Sequence, residues 1–278
     1  SGTALAAGST FTQADINAGL VTYDHNDSQT AADSFAFTVD DGTGISSSAT
    51  FIYTITNDND APVISVEAGD STSSSLTETN GILTDSGTLS VTDVDPGDVV
   101  TASVLSVTPS GTTTGLASNN AALLAMLSVN SQALDGSSTT GQINWNFNSG
   151  SEAFNYLAVG EQLTLVYTIE VQDLANASDS QQVTITITGT NDEPTITVVG
   201  VTGEVTEDAA IPTLTDIGSM TFAELDESDL ITSSVALAST STTGPAIPTD
   251  LATALSSALS LTQIGTNDGT IVWDFSLA

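Results

Sequence analysis

The chain has 278 residues, of which 34 are acidic, one is histidine and none is lysine or arginine, so the formal net charge at pH 7 is −34. This charge argues against binding to nucleic acid or to an anionic membrane surface, because phosphate groups would be repelled. It also excludes ion pairs to Lys or Arg, so clustered carboxylates must be satisfied by backbone N–H groups, by protons or by a metal ion.

Hydrophobic residues make up 39% of the chain, which is enough to form a core. No apolar run reaches the length that a membrane-spanning helix needs, so we expect no direct membrane insertion of this segment. The first predicted element is a short helical turn at 12–19, where Thr12 and Asp15 are spaced as in a capping box. FAFTV (35–39) and TFIYTI (50–55) alternate apolar and polar residues and predict two strands.

TNDNDAP (56–62) follows these strands and places two Asn-Asp pairs directly before a proline. Further along, SGTLSV (86–91) and INWNF (143–147) predict strands, and NNAALLAMLSV (119–129) predicts a short helix with an Asn cap. LTLVYTIEV (163–171) and QVTITIT (182–188) predict two more strands. Many short strands separated by turn residues favour an all-β fold of the Greek-key sandwich type.

The sequence repeats itself at a nearly constant interval, which is the signature of a repeat architecture. Three pairs of matching positions define the repeat: Pro62 and Pro194, Asp95 and Asp226, Trp145 and Trp273. We therefore expect a tandem array within a longer polypeptide. The expected domains are the C-terminal part of one module at 1–58, a complete module at 59–192, and the N-terminal part of a divergent module at 193–278.

These motifs resemble two kinds of bacterial repeat. Residues 11–42 resemble the bacterial cadherin-like module related to chondroitin sulfate proteoglycan repeats, and residues 76–194 resemble the VCBS-type repeat of giant bacterial surface adhesins. The resemblance implies tandem Ig-like or cadherin-like β-sandwich domains with short helical turns. It also implies a secreted protein of the bacterial cell surface or biofilm, exported by type I secretion. The sequence departs from the family in lacking Lys and Arg and in having AELDESD at 223–229.

The order of strands predicts that each linker lies beside the loop after strand B of the following sandwich. Carboxylates at about 4 Å repel by roughly 4 kcal/mol at an effective dielectric near 20, and a hard divalent cation reverses that interaction. We therefore expect Ca²⁺ at the domain junctions, since softer metals would need His or Cys ligands. The expected ligands are Asn57, Asp58, Asn59, Asp60, Asp93, Asp95 and Asp98 at the first junction, and Glu78, Asn191, Asp192, Glu193, Glu224, Asp226 and Asp229 at the second.

A simpler interpretation stays open for all of these positions. Asn, Asp and Gly form turns readily, and a solvated acidic loop needs no ion. Glu207 stands in the same context as Glu78 and has the same two interpretations. Asp40, Asp41 and Asp173 are weaker candidates that are expected to shape turns.

The sequence favours a structural function over catalysis. A Ser-His-Asp set would have to use the only histidine, His25, which stands in an acidic loop, and the acids gather at repeat boundaries instead of in one pocket. We predict a calcium-rigidified segment of an extracellular adhesin or matrix fibre, whose partners are calcium and neighbouring repeats or copies. One alternative is a self-assembling filament subunit completed by strand addition. A carbohydrate-binding module is a further alternative, although Trp145 and Phe147 are expected to lie in the core.

Overall fold

The computed structural model describes residues 4–6, 8–25, 28–40, 43–44, 46–197, 201–207, 210 and 213–278. In these ranges the chain forms β-strands with three short helices, as expected for an all-β sandwich fold. The helices are α1 (Gln13–Asn17), α2 (Asn120–Ala125) and α3 (Thr249–Ser256). The strands are β1 (Ala32–Asp40), β2 (Ser46–Thr54), β3 (Val63–Ser65), β4 (Ser73–Thr77), β5 (Thr84–Thr92), β6 (Val99–Gly111), β7 (Leu127–Val129), β8 (Gln132–Asp135), β9 (Thr140–Asn148), β10 (Gln162–Gln172), β11 (Ser178–Thr188), β12 (Thr195–Thr197), β13 (Leu214–Ala223), β14 (Leu259–Ile264) and β15 (Asp268–Leu277).

The chain divides into two compact units. The first unit comprises 1–60 and 94–96, and the second comprises 61–93 and 97–278. In the first unit, α1 begins at a capping box in which Thr12 and Asp15 satisfy each other's backbone N–H groups. Strands β1 and β2 form an antiparallel hairpin in which Phe35 is paired with Phe51.

Residues 63–93 and 97–188 of the second unit form a complete sandwich of two sheets. The strand orders are β4-β11-β10-β6-β8 and β3-β5-β9-β7, and every second residue of β10 is buried, as the alternating sequence pattern predicted. The core contains Trp145, Phe147 and Tyr167, whose side chains are almost fully buried. The Tyr167 hydroxyl donates a hydrogen bond of 2.8 Å to the Leu123 carbonyl, which ties α2 to the core.

Residues 195–277 repeat one of these two sheets. The strand order β12-β13-β15-β14 corresponds to β3-β5-β9-β7, with α3 at the place of α2. In both sheets a tryptophan packs on a glycine of the neighbouring strand. A Cβ added to Gly87 would lie 2.4 Å from the Trp145 indole, and one added to Gly218 would lie 2.3 Å from the Trp273 indole. The sequence repeat is therefore also a repeat of packing.

Candidate metal centres

The linker between the predicted first and second modules contacts the loop after β5. In the first unit, the Asp60 N–H donates a 2.7 Å hydrogen bond to Asp95 Oδ2. The side chain of Gln29 donates to Asp60 Oδ2 at 3.0 Å, and Asn59 donates its backbone N–H to Asp58 Oδ1 at 3.2 Å. Asn57, Asp58, Asn59 and Asp60 are all exposed.

A group of three carboxylates lies at one end of the complete sandwich. Oxygen atoms of Asp93, Asp98 and Asp173 lie within 4.8 Å of one another, and Asp93 and Asp173 are buried. Asp93 follows β5, Asp98 precedes β6 and Asp173 follows β10, so three strand ends converge here. Asp173 also shapes its turn, because its Oδ1 accepts the Ala177 N–H at 2.8 Å. From the sequence Asp173 was a weaker ligand candidate that was expected to shape a turn.

The second linker repeats the contact made by the first. The Asp192 N–H donates a 2.8 Å hydrogen bond to Asp226 Oδ2, and these residues correspond in the repeat to Asp60 and Asp95. Here the pair is buried, with Asp226 0% and Asp192 5% exposed. Asp226 Oδ1 and Asp192 Oδ2 are buried without a hydrogen-bond partner. Burial raises the pKa of Asp226 to about 6, and the charges of Asp192, Asp229 and Glu224 add to this effect.

Residues that precede β5 in the complete sandwich also lie next to Asp192. Glu78 is 1% exposed and accepts hydrogen bonds from the Thr190 hydroxyl, at 2.7 Å, and from the Asn80 backbone N–H. Asn80 adopts a φ of 56°, in the left-handed region that Asn tolerates better than most residues. Its side-chain amide donates to Asp192 Oδ1. Glu78 is therefore linked through Asn80 to the linker residue Asp192.

The third module contributes the loop after β13, in which the side chains of Glu224 and Asp226 are buried. Glu224 Oε1 accepts the backbone N–H groups of Leu225 and Asp226, at 2.8 and 3.2 Å, and the Asp229 N–H donates to the Asp226 carbonyl at 3.1 Å. Asn267 fastens this loop to the sheet, because its amide donates to the carbonyls of Asp226 and Glu227 at 3.1 and 2.8 Å.

The remaining predicted ligands differ in exposure and in the contacts that they make. Asn191 uses its amide to cap the Asp192 carbonyl at 2.8 Å, while Glu193 and Glu207 are exposed. Asp41 and the side chain of Asp40 lie outside the described residues. Sequence reasoning missed Asn80 and Asn267. The Asn-Gly pair at 80–81 was a signal for the left-handed turn at Asn80, whereas nothing in the local sequence marks Asn267.

Two groups of carboxylates, one formed by Asp93, Asp98 and Asp173 and one around Asp192 and Asp226, suit a hard cation better than any other metal. Their side-chain donors are carboxylate and amide oxygens, the ligands of Ca²⁺ and Mg²⁺, and the chain has no cysteine. Buried carboxylate oxygens without a partner are costly unless a proton or a cation neutralises them. Among the described residues, Asp93, Asp98 and Asp173 form the one group with three carboxylate oxygens within 4.8 Å. The second group combines one closely linked pair, Asp192 and Asp226, with Glu78 and Glu224 around it.

The comparisons with known proteins give a cadherin-like match for the first part of the chain. A family model described as cadherin-like matches residues 2–56, which include the β1–β2 hairpin. No curated protein sequence matches the chain. The chain is similar to the EC1–4 structure of PcdhgB3, with 14% identity over 90% of this chain and 50% of that chain and a TM-score of 0.41. It is also similar to zebrafish RET cadherin-like domains 1 to 4, with 13% identity over 92% of this chain and 52% of that chain and a TM-score of 0.27.

A third similarity is to the CooA pilin subunit of enterotoxigenic Escherichia coli, with 12% identity over 48% of this chain and 100% of that chain and a TM-score of 0.30.

The cadherin-like match suggests an adhesive or structural role and a surface or extracellular location. Cadherin-like domains usually bind calcium and associate with neighbouring repeats or copies. None of the described helices is long and apolar enough to cross a membrane.

Proposed function

We propose that this chain is a calcium-stiffened segment of a very large secreted protein of the bacterial surface, of the VCBS-type adhesin or biofilm-matrix kind, exported by type I secretion. Its role is mechanical. It holds other parts of the protein at a distance from the cell, and calcium makes the junctions between its modules rigid.

One observation supports this proposal above the others. At the second junction, the linker residue Asp192 and the loop residue Asp226 are joined by a hydrogen bond, and each keeps a buried carboxylate oxygen without a partner. The chain contains no Lys or Arg that could neutralise them. A divalent cation would satisfy both oxygens and would favour the bound arrangement of linker and loop. Glu78 and Glu224 would hold or orient the same ion, and Asp93, Asp98 and Asp173 would hold another.

The expected affinity matches an extracellular location. Calcium sites of extracellular modules have dissociation constants of about 10⁻⁴ to 10⁻³ M, so external calcium would fill them only after export. Calcium would therefore bind outside the cell, where it would stabilise the folded state by mass action.

Calcium titration by flow dialysis in physiological salt tests the proposal. We expect saturable binding in this range of affinity, and we expect Asp192→Asn and Asp226→Asn each to remove at least one site. Asp250→Asn, which changes an exposed acid on α3, serves as the matched control and should leave the binding unchanged. Equal loss in all three variants would indicate diffuse attraction to the negative charge and would contradict the proposal.

A further inference from the structure

The ion proposed for the second junction needs more ligands than the free oxygens of two aspartates. Asp192 Oδ2 and Asp226 Oδ1 are buried without a hydrogen-bond partner, but calcium takes about six to eight oxygen ligands. Glu78 already accepts hydrogen bonds at both of its carboxylate oxygens, from Asn80 and Thr190. A further buried oxygen that accepts no hydrogen bond would therefore be a candidate ligand for the same ion.

Asn155 has such an oxygen. Its Oδ1 is buried and has no hydrogen-bond partner. The residue lies in the loop between β9 and β10, at 149–161, and this loop contacts the beginning of the second linker. The Gly189 N–H donates a 2.9 Å hydrogen bond to the Glu161 carbonyl. The loop is therefore fastened to the segment that leads to Asp192.

The residue next to Asn155 contacts the third module. The Glu227 N–H donates a 3.1 Å hydrogen bond to the Tyr156 carbonyl, and Glu227 directly follows Asp226 in the chain. Asn155 is thus one residue away from a backbone contact with the loop that carries Asp226. The loop between β9 and β10 reaches both segments that supply the two free carboxylate oxygens.

The neighbours of Asn155 hold it in a fixed position. Phe154 is fully buried and has a φ of 64°, in the left-handed region that bulky residues rarely adopt. The Tyr156 hydroxyl donates a 2.8 Å hydrogen bond to the Thr112 carbonyl, and a Cβ added to Gly115 would lie 2.8 Å from the Tyr156 side chain. Two anchored aromatic residues therefore flank Asn155, which gives it the rigid support that a metal ligand needs.

The first junction contains a similar amide. Gln29 precedes β1, and the hairpins β1–β2 and β10–β11 each lead into a linker. The Gln29 side chain donates to Oδ2 of the linker residue Asp60 at 3.0 Å, and its Oε1 is buried without a partner. Within the described part of the chain, Gln29 and Asn155 are the two amide side chains with such an oxygen. Each lies in the loop before the hairpin that leads into a junction.

We propose that Asn155 Oδ1 is a ligand of the cation at the second junction, together with Asp192 Oδ2 and Asp226 Oδ1. These oxygens belong to the body of the complete sandwich, to the linker and to the third module, so one ion ties all three together. The inference rests on the proposed function and deepens it, because an ion held by linker and third module alone would leave both free to move against the sandwich. A neutral amide also adds an oxygen without adding negative charge.

Calcium titration of Asn155→Ala by flow dialysis tests this ligand. We expect the variant to weaken the site that Asp226→Asn removes by about tenfold or more, since even the outer partners of metal ligands cost this much when they are lost. Asn155→Ala should cause no further loss in the Asp226→Asn background and its full loss in the Asp173→Asn background. Asn144→Ala, an exposed change on β9, is the control and should leave binding unchanged.

Asn155→Asp separates a ligand from a merely structural residue. It keeps an oxygen at this position and adds a charge, so we expect calcium affinity at least equal to that of the wild type. Circular dichroism in EGTA shows whether each variant is folded. If Asn155→Ala does not fold, Asn155→Asp decides alone, because binding weaker than that of the wild type contradicts a ligand.

Two results would overturn the inference. One is a calcium affinity of Asn155→Ala equal to that of Asn144→Ala, and the other is equally weak binding by folded Asn155→Ala and Asn155→Asp. If Asp226→Asn still removes a site in the same titration, the proposed function stands while the role of Asn155 falls. The absence of saturable binding by the wild type would overturn both.

Discussion

At Asp226 burial and negative charge act on the same carboxyl group. The side chain is fully buried, and Asp192 and Glu224 lie next to it. These surroundings raise the pKa of Asp226 to about 6. Below this pH a proton neutralises the group, and above it the group is charged and available to a cation. The proton and the proposed calcium ion therefore compete for one carboxylate.

The Asp226→Asn variant tests how the charge on this carboxyl group changes the free energy of unfolding. Because the folded pKa lies above the ordinary 3.8, the folded state keeps a proton that the unfolded state loses, and stability falls as pH rises from about 4 to about 6. In EGTA near pH 7.5 we expect the neutral variant to be more stable than the wild type by on the order of 1 to 3 kcal/mol.

Thermal melts of the wild type and of Asp226→Asn at two pH values measure this effect. Near pH 4, where Asp226 is protonated in the folded state, the two proteins should differ little. With calcium near pH 7.5 the order should reverse, because the variant loses a charged ligand. A variant that is less stable than the wild type in EGTA at both pH values would contradict the raised pKa and its cause.

Asp173 supports a second prediction at the scale of single residues. Its carboxylate lies within 4.8 Å of those of Asp93 and Asp98. We expect Asp173→Asn to weaken calcium binding by roughly tenfold or more, because the ion loses one of its charged ligands. Flow dialysis measures the loss. Asp274→Asn, an exposed change on β15, is the control, and equal affinities for both variants would place the ion elsewhere.

At the scale of structural elements, both repeats contain the same contact between a glycine and a tryptophan of neighbouring strands. The indole of Trp145 occupies the space where a side chain at Gly87 would stand. We expect Gly87→Ala to destabilise the complete sandwich by about 1 to 3 kcal/mol, because the ring has to move within a packed core. Denaturant unfolding measures the change. Gly81→Ala, whose Cβ would have no atom nearer than 3.8 Å, should cost much less.

The sequence predicted the elements better than it predicted the contacts between them. The alternation in 163–171 and the repeat of Trp145 at Trp273 were sufficient to predict buried strands and a second sheet. Strand order also predicted that Asp192 would lie beside Asp226, since linker and loop share one end of the sandwich. Asp173 was undervalued because a turn-forming Asp and a member of a carboxylate group look alike in sequence. Only the convergence of three strand ends distinguishes them.

Across the whole molecule, the absence of Lys and Arg gives the charge a single sign. With −34 formal charges, folded modules repel one another at low salt. Protons, calcium and screening salt are then the means of neutralising this charge, and all three depend on the surrounding medium. This dependence agrees with the proposed function, in which external calcium would stiffen the chain. In the proposed function the calcium-dependent step would act at the second junction, where Asp192, Glu224 and Asp226 are buried.

The central claim is that calcium stiffens the junction between the complete sandwich and the third module. Its most direct test is the distribution of distances between spin labels at Ser103→Cys on β6 and Ser219→Cys on β13, both exposed positions. Labels at Ser103→Cys and Gln142→Cys, within the complete sandwich, serve as the control. We predict that the first distribution is narrow in calcium and broad in EGTA, while the control stays narrow in both. A first distribution that is equally broad or equally narrow in the two conditions would contradict the account.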